Sequence, residues 1–201
     1  MPENDPVQQP LAGKELVLAV TGGIAAYKAA ELCSRLVQRG AGVTVVMTEA
    51  ATKFVTPLTF QALSARPVRT STWDLPDSSD PQHIGLTERS DLMIVAPATA
   101  NIIAKAACGI CDDLVSTMIL ASACPVIFCP AMNNLMWEHP VTQENVARLQ
   151  TLGHAMIGPE EGWLACRNVG KGRMSDPVHI VDVVTGLLTA ATPLPRRSPK
   201  I

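Results

Sequence analysis

The chain has 201 residues, 47% of them hydrophobic, 17% charged and only 3% aromatic, with a formal net charge of −2. That length suits one domain of ordinary size, whose core must be filled by aliphatic and small side chains. The small net charge gives no electrostatic basis for a nucleic-acid or anionic-membrane partner, no apolar run reaches membrane-spanning length, and the polar stretch 1–9 is no secretory signal. A cytoplasmic location is expected. Six cysteines stand at 33, 108, 111, 124, 129 and 166, mostly in apolar surroundings where cysteine acts as a small hydrophobe. Cys108-x-x-Cys111 has no second pair at zinc spacing and follows no strand, so it reads as structural, and no metal site is expected.

Residues 1–13, rich in Pro and Gln, are expected to form a disordered tail, 14–190 one domain, and 191–201 a loose Pro/Arg-rich tail. Residues 16–21 are a continuous apolar run ending at Gly22-Gly23, as in a strand buried on both faces. A helical period follows over 25–39 and stops at Gly40. Residues 43–47 read as a second buried strand and 48–64 as loop and short helix. The stretch 74–82, rich in Asp, Ser and Pro, reads as an exposed loop. Further strands are expected at 91–96, 125–129 and 154–157, and helices at 101–107, 112–121, 141–152 and 177–188. Buried strands alternating with helices imply an α/β fold: a single doubly wound, mainly parallel sheet in a Rossmann- or flavodoxin-like three-layer sandwich. Ligands of such sheets bind beyond the carboxyl ends of the strands.

The chemistry-bearing segments follow strands. In Thr21-Gly22-Gly23-Ile24, two glycines allow close approach and the helix N-terminus offers N–H groups to a phosphate. The segment is neither a full dinucleotide fingerprint nor a P-loop, with Lys28 displaced from the P-loop position, and a tight turn without ligand is the alternative. In Pro97-Ala98-Thr99-Ala100-Asn101, small residues bring the backbone close to a ligand, while Thr99 or Asn101 can equally cap the next helix. After Pro130-Ala131-Met132, the Asn133 amide can bind a carboxylate or carbonyl, or serve the turn itself. His83 ends the polar loop at the mouth of the sheet, and an imidazole pKa of about 6.5 suits acid–base work. His139, His154 and His179 read as structural. Gly162-Trp163-Leu164-Ala165-Cys166, followed by Gly170-Lys171-Gly172-Arg173-Met174, puts one cysteine in a Gly-rich loop expected to be mobile. From there a thiol can reach a bound ligand and exchange a proton.

Over residues 14–188 these segments together resemble the homo-oligomeric flavin-containing cysteine decarboxylases, and within them the branch that acts on phosphopantothenoylcysteine. Pro130-Ala131-Met132-Asn133 with Met136-Trp137 is similar to the family's most specific motif, and Pro97 to Asn101 to its Pro-Ala-Ser-Ala-Asn signature. His83-Ile84 is similar to the catalytic histidine segment. Leu164-Ala165-Cys166 with Gly172-Arg173-Met174 is similar to the substrate clamp. The resemblance implies FMN bound between subunits of a trimer, or of a multiple of trimers. Gly22, Gly23 and Ile24 would hold its phosphate end. Thr48, Glu49, Ala50, Thr99, Ala100, Asn101, Ile102 and Ala131 would line the flavin.

By the same resemblance, Asn133 would grip the substrate near its carboxylate, His83 would act as a base and Cys166 would supply a proton. Trp163, Ala165 and Met174 would cover the substrate, which is implied to be 4'-phosphopantothenoylcysteine, converted to 4'-phosphopantetheine in coenzyme A biosynthesis. Oxidation of the cysteinyl thiol would make the neighbouring carboxylate labile, and return of the hydride would leave the flavin oxidised. The alternatives are a decarboxylase of another cysteinyl substrate, such as a peptide C-terminus, which has no need of Cys166, and a flavin-binding regulatory protein. Three departures stand out. Arg167 and Asn168 follow the clamp cysteine where glycine and an acidic residue are usual, Ile102 replaces a hydroxyl residue, and Gly23 replaces a serine. A ligase domain of the kind many bacterial relatives carry is not expected in a chain of this length.

Overall fold

The computed structural model describes residues 9–73 and 82–190, the first three of the second stretch as backbone only. The remainder of the expected tails and most of the polar loop lie outside the described residues. In chain order the elements are β1 (Glu15–Val20), α1 (Ala26–Gln38), β2 (Gly42–Met47), α2 (Glu49–Thr52), α3 (Pro57–Ser64) and α4 (Gln82–Arg89). There follow β3 (Leu92–Ala98), α5 (Ala100–Cys108), α6 (Leu114–Ala121), β4 (Val126–Pro130), α7 (Asn134–Glu138) and α8 (Pro140–Thr151). Last come β5 (Ala155–Met156), β6 (Glu160–Trp163), β7 (Val169–Arg173) and α9 (Pro177–Thr189).

β1 to β5 form one parallel sheet in the order β2-β1-β3-β4-β5, the flavodoxin-like member of the two expected arrangements. Its strands are apolar at nearly every position because both faces are covered, and the pleat sends alternate residues to opposite layers. Leu16, Leu18 and Val20 of β1 pack with Ile94 and Ala96 of β3 beneath Ala29, Leu32 and Leu36 of α1, Ile180 and Val184 of α9, and Phe60 of α3. Val17 and Ala19 pack the other way with Met93 and Val95, against Ile102 and Ile103 of α5, Val115 and Met118 of α6, and Leu149 of α8. Each such Val, Leu, Ile, Met or Phe side chain contributes roughly 1.5–3 kcal/mol by leaving water. α1 stops where expected, at Gly40, whose φ of 91° suits glycine.

The strand order reverses around β1: β2 lies on one side and β3 on the other. The connections leaving β1 and β3 therefore part, and the crevice between them is where such sheets bind ligands.

Four local features differ from the expectation. The segment read as tail up to 13 is packed from Leu11, which is fully buried and whose N–H donates to the Arg39 carbonyl at 2.9 Å. His83 lies inside α4 rather than ahead of it. The turn after β4 contains the short helix α7. Finally, the Gly-rich segment expected as a mobile loop is an antiparallel hairpin, β6 paired with β7. Its glycines mark close approach rather than looseness. The Met132 N–H donates to the Gly172 carbonyl at 2.9 Å, and a Cβ on Gly172 would stand 2.3 Å from the Met132 oxygen.

Candidate active site

The segments that leave the carboxyl ends of β1 to β4, with the β6–β7 hairpin, enclose a cavity of about 1250 Å³. Its floor is set at the β1–α1 turn. Thr21 Oγ1 donates to the Pro97 carbonyl at 2.6 Å, tying the end of β1 to β3. A Cβ on Gly22 would lie 2.4 Å from Ala50 Cβ and 2.9 Å from its carbonyl carbon, so the turn and α2 can meet only at glycine. Gly23 is different: an added Cβ meets Thr99 Cγ2 at 3.4 Å, ordinary contact, so the serine usual in the resembled family would fit. α1 has Ala25 at its N-cap, without a side-chain hydrogen bond there and without an acidic residue in its first turn. α2, α5, α6, α7, α8 and α9 are all capped by a side chain. An uncapped N-terminus beside a glycine turn on a cavity wall is suited to a phosphate, whose charge the helix end favours.

Thr48 caps α2, its Oγ1 accepting from the Ala51 N–H at 3.2 Å, and Glu49 and Ala50 face the cavity behind it. At the end of β3 the choice between two caps is resolved. Thr99 Oγ1 accepts from the Ile102 N–H at 3.4 Å, which leaves Asn101 as a cavity-lining side chain beside Ala100 and Ile102. Beyond β4, Ala131 lines the wall and Asn133 caps α7, Oδ1 accepting from the Leu135 N–H at 2.8 Å. Asn133 Nδ2 donates to Cys166 Sγ at 3.1 Å. The hairpin brings Trp163, Ala165, Cys166 and Met174 to the same cavity.

Every expected site residue whose side chain is described thus lines one space. His83 stands in the first turn of α4, and its side chain lies outside the described residues. Two of the remaining histidines have local partners of their own. His139 Nδ1 accepts from the Val141 N–H at the start of α8, and the His154 ring packs edge-on against Phe128.

Sequence reasoning missed several lining residues. Lys28 was seen only as displaced from a P-loop position. In the fold it is 9% exposed, and its Nζ donates to the Met174 carbonyl at 3.0 Å, joining α1 to the base of the hairpin. Burial, and next the charge of Arg173, hold its amine below the ordinary lysine value. Lys105 bridges to Asp112 at 2.6 Å and Asp113 at 2.8 Å, and both Lys105 and Asp113 face the cavity. Their spacings of seven and eight span the α5–α6 turn, so no helical pairing rule signals them.

The cysteines divide clearly. Burial pushes the Cys33 thiol up to about 11 and the Cys129 thiol up to about 12, which keeps both protonated and inert. Cys166 is exposed at the hairpin tip, and Cys108 and Cys111 are exposed at the α5–α6 turn. Among the described residues no group of three or more His, Cys, Asp or Glu could hold a metal ion.

A phosphate-ready turn and a thiol held by an amide, facing one cavity at the sheet's switch point, agree with the wider comparisons. The Flavoprotein family pattern matches residues 5–189. This chain belongs to the Flavoprotein family. It is 50% identical over 171 residues to the coenzyme A biosynthesis bifunctional protein CoaBC of Bacillus subtilis, covering 85% of this chain and 42% of that protein. Against the protein of the same name from Escherichia coli it is 50% identical over 173 residues, 86% of this chain and 43% of that one. This Flavoprotein chain therefore spans less than half the length of these curated relatives. A solved PPC decarboxylase mutant complexed with pantothenoylaminoethenethiol superposes with a TM-score of 0.76 at 32% identity, over 85% of this chain and 96% of that one. The FMN binding protein AtHal3 gives a TM-score of 0.73 at 32% identity, over 85% and 94%.

Proposed function

We propose that this Flavoprotein chain is an FMN-dependent carboxy-lyase that converts 4'-phosphopantothenoylcysteine to 4'-phosphopantetheine in coenzyme A biosynthesis. One observation carries the reading: the cavity that holds the uncapped helix end at Gly22 to Ile24 also holds the Asn133–Cys166 pair. A cofactor phosphate and a thiol acid are thereby offered to one bound assembly. The names of the half-identical relatives and of the superposed decarboxylase support it.

FMN, when bound, supplies the electron sink that a saturated cysteinyl carboxylate lacks. The chain's own residues bind, orient and protonate. The α1 N-terminus holds the cofactor phosphate, and Thr48, Glu49, Ala50, Thr99, Ala100, Asn101, Ile102 and Ala131 shape the flavin wall. Asn133 holds the substrate carboxylate through an amide N–H, and His83 takes the proton that leaves the substrate. Cys166 Sγ–H returns a proton after CO2 has departed. Trp163, Ala165 and Met174 cover the substrate and exclude water, with Lys28 fixing the Met174 backbone.

The cavity rim exposes apolar side chains: Ile24 is 60%, Tyr27 62% and Trp163 66% accessible. That rim supports a homo-oligomer, a trimer or a multiple of trimers, in which a second copy covers it. The reading places the enzyme in the cytoplasm, with residues 11–190 as the catalytic domain. No described helix is long and apolar enough to cross a membrane. A decarboxylase of a peptide's terminal cysteine is the second reading, and the thiol at Cys166 disfavours it because that chemistry stops before protonation.

The test is anaerobic incubation of the flavin-loaded protein with 4'-phosphopantothenoylcysteine, followed by mass spectrometry. A product lighter by one CO2, with the flavin oxidised at the end, is expected. A normal flavin spectrum with unchanged substrate would overturn the reading.

A further inference from the structure

An asparagine amide can face either way, and only its partners tell oxygen from nitrogen. At Asn133 the oxygen is committed, because Oδ1 caps α7 by accepting the Leu135 N–H at 2.8 Å. The NH2 group must then face the hairpin, where Nδ2 stands 3.1 Å from Cys166 Sγ. The sulfur is held from its own side. The hairpin tip is closed by Leu164 N–H to the Asn168 carbonyl at 2.8 Å and Arg167 N–H to the Leu164 carbonyl at 2.9 Å. Its base is fastened one residue from Asn133, by the bond between Met132 and Gly172. Amide and thiol are therefore aimed at each other by two separate backbone anchors, with no substrate required to bring them together.

We propose that Asn133 is the positioning residue for Cys166: its amide N–H holds the sulfur at the cavity and stabilises the thiolate left when the proton has been given. The role in turnover rests on the decarboxylase reading, whereas the contact itself does not. An amide NH2 carries two donors, so one N–H can serve Cys166 while the other serves the substrate carboxylate. A single side chain then spans the group that leaves and the thiol that replaces it with a proton. In that step the S–H bond breaks as a C–H bond forms on the substrate carbon. The electron pair stays on sulfur, and the exposed tip takes a proton back from water. Hydrogen bonds to an ionised acceptor are about twice as strong as those between neutral groups, so the amide favours the thiolate.

The experiment measures how fast iodoacetamide alkylates Cys166 as pH is varied, in the flavin-loaded protein without substrate. Mass spectrometry of the peptide containing Cys166 separates it from the other exposed thiols, Cys108 and Cys111. Asn133→Leu removes both donor and cap. Asn133→Asp keeps a capping oxygen for α7 while replacing the donor by a negative charge, so it guards against a merely unfolded turn. Lys28, Glu49, Lys53, Lys105, Asp113 and Arg173, the charged groups that line the cavity, and Arg167 next to the thiol are unchanged in both. The alkylation midpoint is expected to rise by about one pH unit in Asn133→Leu, a tenfold change in the thiolate equilibrium, and further in Asn133→Asp. Identical midpoints in wild type and Asn133→Leu would overturn the proposal, whatever Asn133→Asp does. Because the readout needs no turnover, it stands or falls separately from the assignment of substrate.

Discussion

Arg167 sits one residue beyond Cys166 with φ at 63°, in the left-handed region. A side chain there costs on the order of 1 kcal/mol, and the resembled family usually has glycine at this point. The strain falls on the turn that presents the thiol, where the amides of Leu164 and Arg167 close the tip. Hydrogen exchange at those two amides should slow in Arg167→Gly and quicken in Arg167→Val, whose branched side chain fits that region worst. Unchanged exchange in both variants would mean the tip carries no strain. At this scale the sequence was legible where a residue's chemistry is tied to a strand end, as for Asn133 and Thr99. It was silent where a role depends on distant backbone. Lys28 acquires its function from the Met174 carbonyl, 146 residues away, and no local pattern encodes that partner.

At the level of elements, the five parallel strands were readable because burial on both faces leaves an uninterrupted apolar run. The hairpin was not, since Glu160–Trp163 and Val169–Arg173 are polar and rich in glycine and carry no apolar alternation. It is held instead by docking onto the turn before α7, where Gly170 approaches the Asn134 side chain and Gly172 the Met132 carbonyl. The same contrast between two kinds of glycine applies at the floor of the cavity. Gly22→Ala must push α2 away from the turn and should weaken FMN binding at least tenfold in a fluorescence titration, about 1.4 kcal/mol. Gly23→Ser should bind FMN within about threefold of wild type, because its Cβ has room. Equal affinities for wild type and Gly22→Ala would show that the close approach of Gly22 to Ala50 does not serve cofactor binding.

Across the whole molecule the two ends of the sheet divide the work. The carboxyl end carries the cavity, while the amino end is fastened by charge. Arg66 hydrogen-bonds both carboxylate oxygens of Glu15 and also reaches Thr44 Oγ1 at 3.2 Å. The hydrogen bond from Arg66 holds the Glu15 carboxyl below its ordinary value. A carboxylate lowered in the fold adds stability above its unfolded pKa, and that stability is lost as pH falls through the folded value. With side chains 44% and 37% accessible, the pair is worth less than about 1 kcal/mol. Glu15→Gln should therefore lower urea stability slightly near neutral pH, and the two proteins should converge only once the pH has fallen below the lowered value of the folded carboxyl. A difference that persists in acid would show that packing, not charge, is responsible.

In the proposed function, one cavity joins flavin chemistry to a proton from the hairpin thiol. The decisive measurement is a single anaerobic turnover of flavin-loaded Cys166→Ser with 4'-phosphopantothenoylcysteine. CO2 is expected to be lost, the flavin to stay reduced, and the product to be two hydrogens short of the one wild type makes. A variant that releases the fully reduced product and reoxidised flavin at the wild-type rate would contradict that function.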